Sequence, residues 1–286
     1  MAKLTGNLAD LEIQFRILLK NKKNAANEMI KICGERIELL DRLEYYAYIK
    51  LLRAIEAAKD CVRSLNSQRR NFEKQMKKTK DPAEKTKLMA QLNWTENRLR
   101  TMRARLSKLE RHIQKSAQAS MRQKQVLARG ATGLKSFFVM TFRGSDKHLC
   151  KVMISRMKAL RKAEEMAANT KLSFEQRLDW TIKRIDILES FEDDLYFKEL
   201  RVIKDANKFI VPVIQAYQAR ATQQVATSGQ QTSSANRIKI IEFVKDLQAK
   251  FNGLKERIKT TCKEGLKQKH IFAKRSNGLA MATWGE

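Results

Sequence analysis

Helix breakers are almost absent from this sequence, and their scarcity constrains the fold more than any other feature. Only 2 prolines and 10 glycines occur among the 286 residues. Proline and glycine are the residues that disfavour a helix interior most strongly, whereas Ala, Leu, Lys, Glu, Gln and Arg favour it. The sequence therefore predicts an all-α, elongated protein in which long helices follow one another with few interruptions.

The first 80 residues predict one very long helix or two nearly collinear helices. No proline occurs between Asn7 and Lys80, and apolar residues recur there at helical spacing. Asp81 and Pro82 then favour the start of a second helix, with Glu84 completing a capping box.

A heptad pattern of apolar residues runs along this second helix. Thr95 occupies one position, and the other members alternate four and three residues apart: Leu88, Leu92, Leu99, Met102, Leu106, Leu109 and Ile113. Such a seam is typical of a coiled coil. We expect the second helix to fold back along the first as a long antiparallel hairpin, or to pair with another subunit. An ordinary bundle helix remains the alternative, because the heptad run is short.

Changes in composition along the chain predict four parts. Residues 1–130 form the long basic hairpin, and residues 131–221 form a helical region of balanced charge. Residues 222–236 are rich in Ser, Thr and Gln and have no apolar face, which is typical of a flexible linker. Residues 237–286 carry an amphipathic helix and a basic tail.

Two local signals fall within the charge-balanced region. Ser173 and Gln176 have the spacing of a capping box and predict the start of a helix. We expect that helix to run to about Ala221, with a kink at Pro212, whose ring is incompatible with an undistorted helix interior.

The charge balance points to an anionic partner. Lys and Arg number 59 against 31 Asp and Glu, which gives a net charge of +28. A compact chain with this excess repels itself unless a counter-anion is bound. Nucleic acid and anionic membrane surfaces are the natural partners for such a protein.

The basic residues are patterned within the second helix. Four cations recur at seven-residue spacing on the face away from the apolar seam: Lys108, Lys115, Arg122 and Arg129. Six more flank them: Arg98, Arg100, Arg103, Arg105, Arg111 and Lys124. Glu110 is the only acidic residue between positions 97 and 145. Because a solvated helix face usually mixes both charges, these ten cations predict a polyanion-binding surface.

The leading interpretation is a self-associating, homo-oligomeric scaffold that binds nucleic acid without sequence specificity. Contacts to phosphates position a protein but do not read bases, and the sequence has no zinc-finger spacing and no aromatic RNA-recognition motif. Packaging, compaction, or a structural role in a virion or chromosome would suit such a protein.

An aromatic segment supports a different interpretation. Phe137, Phe138 and Phe142 lie between Lys135 and Arg143. Such a segment is compatible with a wedge that enters lipid while the cations hold anionic headgroups, although apolar runs in helical proteins are more often part of the core. The first alternative is therefore a membrane-surface scaffold or remodelling protein. The second alternative is a coiled-coil adaptor whose basic face meets an acidic protein.

No motif in the sequence favours catalysis. Phosphate-binding loops and nucleophile elbows are absent. One cluster of carboxylates has helical spacing: Glu189, Glu192, Asp193 and Asp194. Arg184 and Lys198 lie close to the cluster in sequence, so it fits an ordinary charged helix face. We expect a protein that is not an enzyme, with no cofactor, no metal site and no small-molecule substrate.

The cysteines and the apolar segments bear on location. Four cysteines are far apart in sequence and form no Cys-x-x-Cys pair, which is typical of reduced thiols. The first residues lack the apolar segment of a signal peptide, and no apolar run approaches the roughly 20 residues that span a bilayer. We expect a protein of the cytoplasm or nucleus, or of a virion, that is neither secreted nor transmembrane.

Overall fold

The computed structural model of the chain describes residues 1–20, 25–131, 146–227 and 234–279. The described residues are almost entirely helical and contain no β-strand. The α-helices are α1 (Ala2–Lys20), α2 (Ala26–Lys78), α3 (Pro82–Ala131), α4 (Asp146–Ala168), α5 (Phe174–Asp205), α6 (Val211–Thr227) and α7 (Ser234–Ser276). The all-α fold class predicted from the sequence is confirmed.

The turn between α2 and α3 begins as the sequence predicts and is completed differently. Oδ1 of Asp81 accepts a hydrogen bond from the N–H of Ala83 at 3.0 Å, so Asp81 caps α3. Oε2 of Glu84 accepts a hydrogen bond from the hydroxyl of Thr79, with 2.7 Å between the two oxygens. The capping-box prediction did not include this contact. The Thr79 hydroxyl lies within reach because only three residues separate the two helices.

The capping box that starts α5 is confirmed. The N–H of Gln176 donates to Oγ of Ser173 at 3.3 Å, and the N–H of Ser173 donates to Oε1 of Gln176 at 3.0 Å. Each side chain thus satisfies an N–H that the first turn of the helix leaves without a partner.

A π-helical segment, Ala206–Ile210, joins α5 to α6. The N–H of Val211 bonds to the carbonyl of Ala206, five residues back. Pro212 is the next residue, and it has no N–H with which to form the α-helical hydrogen bond to the carbonyl four residues back. The π-helical hydrogen bond therefore lies next to the position where an α-helical hydrogen bond is missing. The kink expected at Pro212 stays a prediction.

The chain divides into two compact units, each made of segments that are distant in sequence. The first unit comprises Met1–Tyr45, Arg122–Ile154 and Asp193–Leu266. The second unit comprises Tyr46–Met121, Ser155–Glu192 and Lys267–Glu286. The four consecutive parts expected from the sequence stay a prediction. Of the expected linker, residues 222–227 end α6, residues 234–236 begin α7, and residues 228–233 lie outside the described residues.

Each unit has an apolar core. In the first unit the buried side chains include Leu8 of α1, Ile37 and Leu40 of α2, Ile203 of α5, and Leu247 and Phe251 of α7. In the second unit they include Leu51 and Ile55 of α2, Met102 and Leu106 of α3, and Ile185 and Leu188 of α5. Burial of aliphatic side chains on this scale is the main favourable contribution to folding.

The heptad seam of α3 is buried in the second unit. Six of its apolar members are buried: Leu88, Leu99, Met102, Leu106, Leu109 and Ile113. Thr95 is also fully buried, and its hydroxyl donates to the carbonyl of Gln91 at 2.8 Å, which satisfies the polar group. Leu92 is half-buried. Coiled-coil pairing and the hairpin arrangement of α2 and α3 stay predictions.

The end of α7 is held by α3 within the second unit. Nε2 of Gln114 donates to the carbonyl of Ala273 at 2.8 Å and to Oδ1 of Asn277 at 2.6 Å. The N–H of Gly278, which has a φ of 74°, donates to Glu110 at 2.9 Å. A positive φ favours glycine at this helix end.

Candidate functional site

Six of the ten cations predicted to bind a polyanion have exposed side chains. They are Arg100, Lys108, Arg111, Lys115, Arg122 and Arg129. All four members of the seven-residue stripe are among them: Lys108 and Lys115 in the second unit, Arg122 and Arg129 in the first. Within the described part of the chain, no carboxylate lies within 4 Å of Lys108, Lys115 or Arg122. Their charges are therefore available to an external anion.

Two other cations are committed to acidic residues of α5 in the second unit. Arg98 makes a bidentate ion pair with Glu175, and its guanidinium also lies 4.1 Å from the ring centroid of Trp94. The hydrogen bonds from Arg98 lower the pKa of Glu175. Arg105 pairs with Asp179 at 2.6 Å. These two arginines hold α3 against α5. Arg103, another of the ten predicted cations, is half-buried.

Lys124 is not a surface cation, and the structure corrects its assignment to the polyanion-binding surface. Only 5% of the residue is exposed. Nζ of Lys124 lies 2.6 Å from Glu44 and 2.9 Å from Glu199, both in the first unit and both buried. Its spacing in the sequence matches that of a flanking cation, but its side chain enters the core, where it meets two carboxylates that are distant in sequence.

This buried cluster of Lys124, Glu44 and Glu199 shifts the ionisation of its members. Burial disfavours the charged form of Lys124, but the attraction of Glu199 and Glu44 outweighs it and raises the lysine pKa. Burial raises the pKa of Glu199 to about 7; Lys124 opposes the rise, and the charges of Glu44 and Asp41 reinforce it. One cation and two carboxylates leave a buried negative charge unless one acid keeps its proton.

A second buried cluster lies in the first unit and involves a thiol. Nζ of Lys198 donates to both oxygens of Glu12, at 2.6 and 2.8 Å, and lies 3.2 Å from Sγ of Cys150. Arg36 pairs with Asp205 at 2.8 Å. Burial raises the pKa of Cys150, so this thiol is held in its protonated, weakly nucleophilic form.

All four cysteines are free and buried: Cys33, Cys61, Cys150 and Cys262. Burial raises the pKa of Cys33 to about 12 and that of Cys262 to about 12. None of these thiols has the lowered pKa that marks a nucleophilic cysteine.

The acidic run on α5 does not act as one cluster. Glu192 pairs with Lys269 in the second unit, and Asp193 accepts a hydrogen bond from Gln123 at 3.0 Å in the first. Asp194 is buried. Glu189 lies next to a potential metal ligand, because its Oε2 is 2.6 Å from Nε2 of His112.

The aromatic residues of the possible membrane wedge, Phe137, Phe138 and Phe142, lie outside the described residues. None of the helices in the described part of the chain has the length and apolar character needed to cross a lipid bilayer.

No family model, curated protein or solved structure matches this chain.

Proposed function

We propose that the protein is a non-enzymatic helical scaffold that binds nucleic acid without reading its sequence, through the exposed cations of α3. This proposal rests on one observation: some of the ten predicted cations are paired with acids inside the fold, and others are exposed to solvent. Three of them, Arg98, Arg105 and Lys124, are neutralised by acids within the fold. The four members of the stripe are exposed.

The surroundings of the stripe also support the proposal. Glu110, the one acidic residue in this part of the sequence, is engaged by the N–H of Gly278. A single carboxylate among so many cations leaves this part of α3 strongly positive. Condensed counterions on a nucleic acid are released when such cations meet its phosphates, and this release drives binding.

The stripe favours binding without sequence specificity. Cations seven residues apart on a helix recur about every 10 Å, and the phosphates of a duplex recur much more closely than that, so several of these cations can contact phosphates at once. Lysine and arginine contacts to phosphates carry no base information. The exposed apolar residues Ile13 and Ile17, one turn apart on α1, support self-association of the scaffold. The buried free thiols support a reducing location, in the cytoplasm or nucleus or within a virion.

A binding titration of the purified protein tests the proposal. Fluorescence anisotropy would follow binding to two duplexes of unrelated sequence and to a single-stranded RNA, while co-sedimentation would follow binding to anionic vesicles. We expect similar affinities for the two duplexes and a steep loss of affinity as salt rises. The adaptor alternative predicts no binding to any of these ligands.

Salt-resistant retention on anionic vesicles, with nucleic-acid binding lost at near-physiological salt, would contradict the proposal. A strong preference for one duplex sequence would contradict it as well, because cations that contact only phosphates do not distinguish bases.

A further inference from the structure

We propose that His112, Asp186 and Glu189 form a binding site for one divalent transition-metal cation of the zinc class. His112 lies on α3, and the two acids lie three residues apart on one face of α5, all within the second unit. This inference is independent of the polyanion-binding proposal. It revises the expectation, drawn from the sequence, that the chain has no metal site.

The donor atoms are already gathered at nearly the right distances. One ligand atom from each residue lies within 4.8 Å of the other two. Nε2 of His112 is 2.6 Å from Glu189 and 3.6 Å from Asp186. Ligands about 2.0–2.1 Å from a tetrahedral zinc ion lie roughly 3.3–3.4 Å apart. Small side-chain movements would therefore bring all three atoms into the first coordination sphere.

Glu189 provides a second, independent reason to expect a ligand at this position. Its side chain is only 10% exposed. Its Oε1 atom is buried and has no hydrogen-bond partner within 3.5 Å in the described part of the chain, and the Ser116 side chain lies near this carboxylate. A buried carboxylate oxygen without a partner is costly. A cation bound by both oxygens of Glu189 supplies the partner that Oε1 lacks.

The site is open to solvent on the other side. The side chains of His112 and Asp186 are 53% and 55% exposed. Both line a groove with a volume of about 290 Å³, together with Arg105 and Lys108. Arg105 is neutralised by Asp179, so Lys108 is the main charge that opposes a cation there. A metal ion can therefore enter from solvent, and three protein ligands leave a position for water or an anion.

The ligand types select the class of metal. An imidazole nitrogen with two carboxylate oxygens suits zinc and neighbouring transition metals, whereas magnesium prefers oxygen ligands in octahedral geometry. The four cysteines, which are the soft ligands that zinc would otherwise choose, are buried elsewhere. The sequence did not reveal this site, because no spacing rule links His112 to acids more than 70 positions away.

Metal titration of the chelator-treated full-length protein tests the inference. Zinc affinity would be measured by competition with a chromophoric chelator, and cobalt would report ligand type by its visible spectrum. We expect one zinc equivalent to bind, with no displacement by magnesium and no thiolate-to-cobalt charge-transfer band. His112→Gln and Asp186→Asn change exposed side chains and should each weaken zinc binding at least about tenfold. His270→Gln, a change at another exposed histidine, should leave the affinity unaltered.

Equal zinc affinity in the unchanged protein and in His112→Gln would overturn the inference. A charge-transfer band from cysteine in the cobalt spectrum would overturn it too, because the ion would then be bound by thiols. Loss of zinc binding in His270→Gln to the same extent as in His112→Gln would likewise exclude a specific site.

Discussion

Lys124 and Lys108 belong to the same helix, yet their surroundings give their ammonium groups opposite roles. Lys108 is exposed and has no carboxylate within 4 Å in the described part of the chain. Lys124 is buried between Glu44 and Glu199. Because a buried carboxylate without a cation is strongly destabilising, Lys124 serves the stability of the first unit.

The same substitution at the two lysines should therefore have different effects. We expect Lys124→Met to lower the free energy of unfolding by about 3–5 kcal/mol, since it leaves two buried glutamates without a cation. Lys108→Met is the matched control and should change it by less than about 0.5 kcal/mol. Urea denaturation measures both. Equal effects would mean that Lys124 is not buried.

The raised pKa of Glu199 predicts that stability depends on pH. Its folded pKa is about 7, above the ordinary value of 4.5. Below pH 4.5 Glu199 is protonated in both states, so its contribution is fully present there. Between pH 4.5 and 7 the unfolded chain ionises first, and on the order of 3 kcal/mol of stability is lost as pH rises.

Glu199→Gln isolates this effect, because glutamine mimics the protonated acid and does not titrate. We expect the stability of the unchanged protein, relative to that of the variant, to fall between pH 4.5 and 7 and then to level off. Thermal midpoints of both proteins across this range provide the measurement. A constant difference between the two would show that Glu199 titrates with an ordinary pKa.

At the level of elements, two glycines inside α7 differ in what an added methyl group would meet. A Cβ atom at Gly265 would lie 3.0 Å from both Oε1 of Glu44 and Cε of Lys124. At Gly253 it would meet nothing within 4 Å. Gly265 therefore makes room for the buried cluster, whereas Gly253 has no such role.

This contrast predicts different stabilities for the two alanine variants. Gly253→Ala should raise the free energy of unfolding by roughly 0.5–1 kcal/mol, because alanine favours a helix interior. Gly265→Ala should be the less stable of the two variants, since its methyl group displaces Lys124 or Glu44. Urea denaturation of the two variants under identical conditions would compare their free energies of unfolding. If Gly265→Ala were the more stable variant, α7 could not pack closely against the buried cluster.

The positions of helices could be predicted from the sequence where they depend on neighbouring residues, such as N-caps and helix breakers. Asp81, Ser173 and the scarcity of Gly and Pro determine where helices begin and how far they run, and the structure confirms both N-caps. The partners of the charged residues were not predictable. Lys124 lies 80 positions from Glu44, and Arg98 lies 77 from Glu175, so only tertiary packing determines which cations are neutralised.

For the whole molecule, polyanion affinity could depend on the total net charge of the protein or on where the positive charges lie on its surface. The net charge of +28 would attract any polyanion. Our proposal is that binding depends instead on the stripe of α3, whose members are Lys108, Lys115, Arg122 and Arg129. A comparison at constant net charge separates the two explanations.

The variant that changes all four stripe residues to glutamine should lose polyanion affinity. We expect duplex binding to weaken by more than about tenfold, and the slope of log affinity against log salt to become shallower by about 3–4. Helicity should be unchanged, because these side chains are exposed. The matched control changes four other exposed lysines to glutamine: Lys151, Lys158, Lys162 and Lys171.

The most direct measurement is therefore a duplex titration of the unchanged protein, the stripe variant and the control variant at several salt concentrations. We predict that the stripe variant loses most of the affinity and of the salt dependence, while the control variant, with the same net charge, keeps most of both. Equal losses in the two variants would contradict the assignment to the stripe, because binding would then follow total charge.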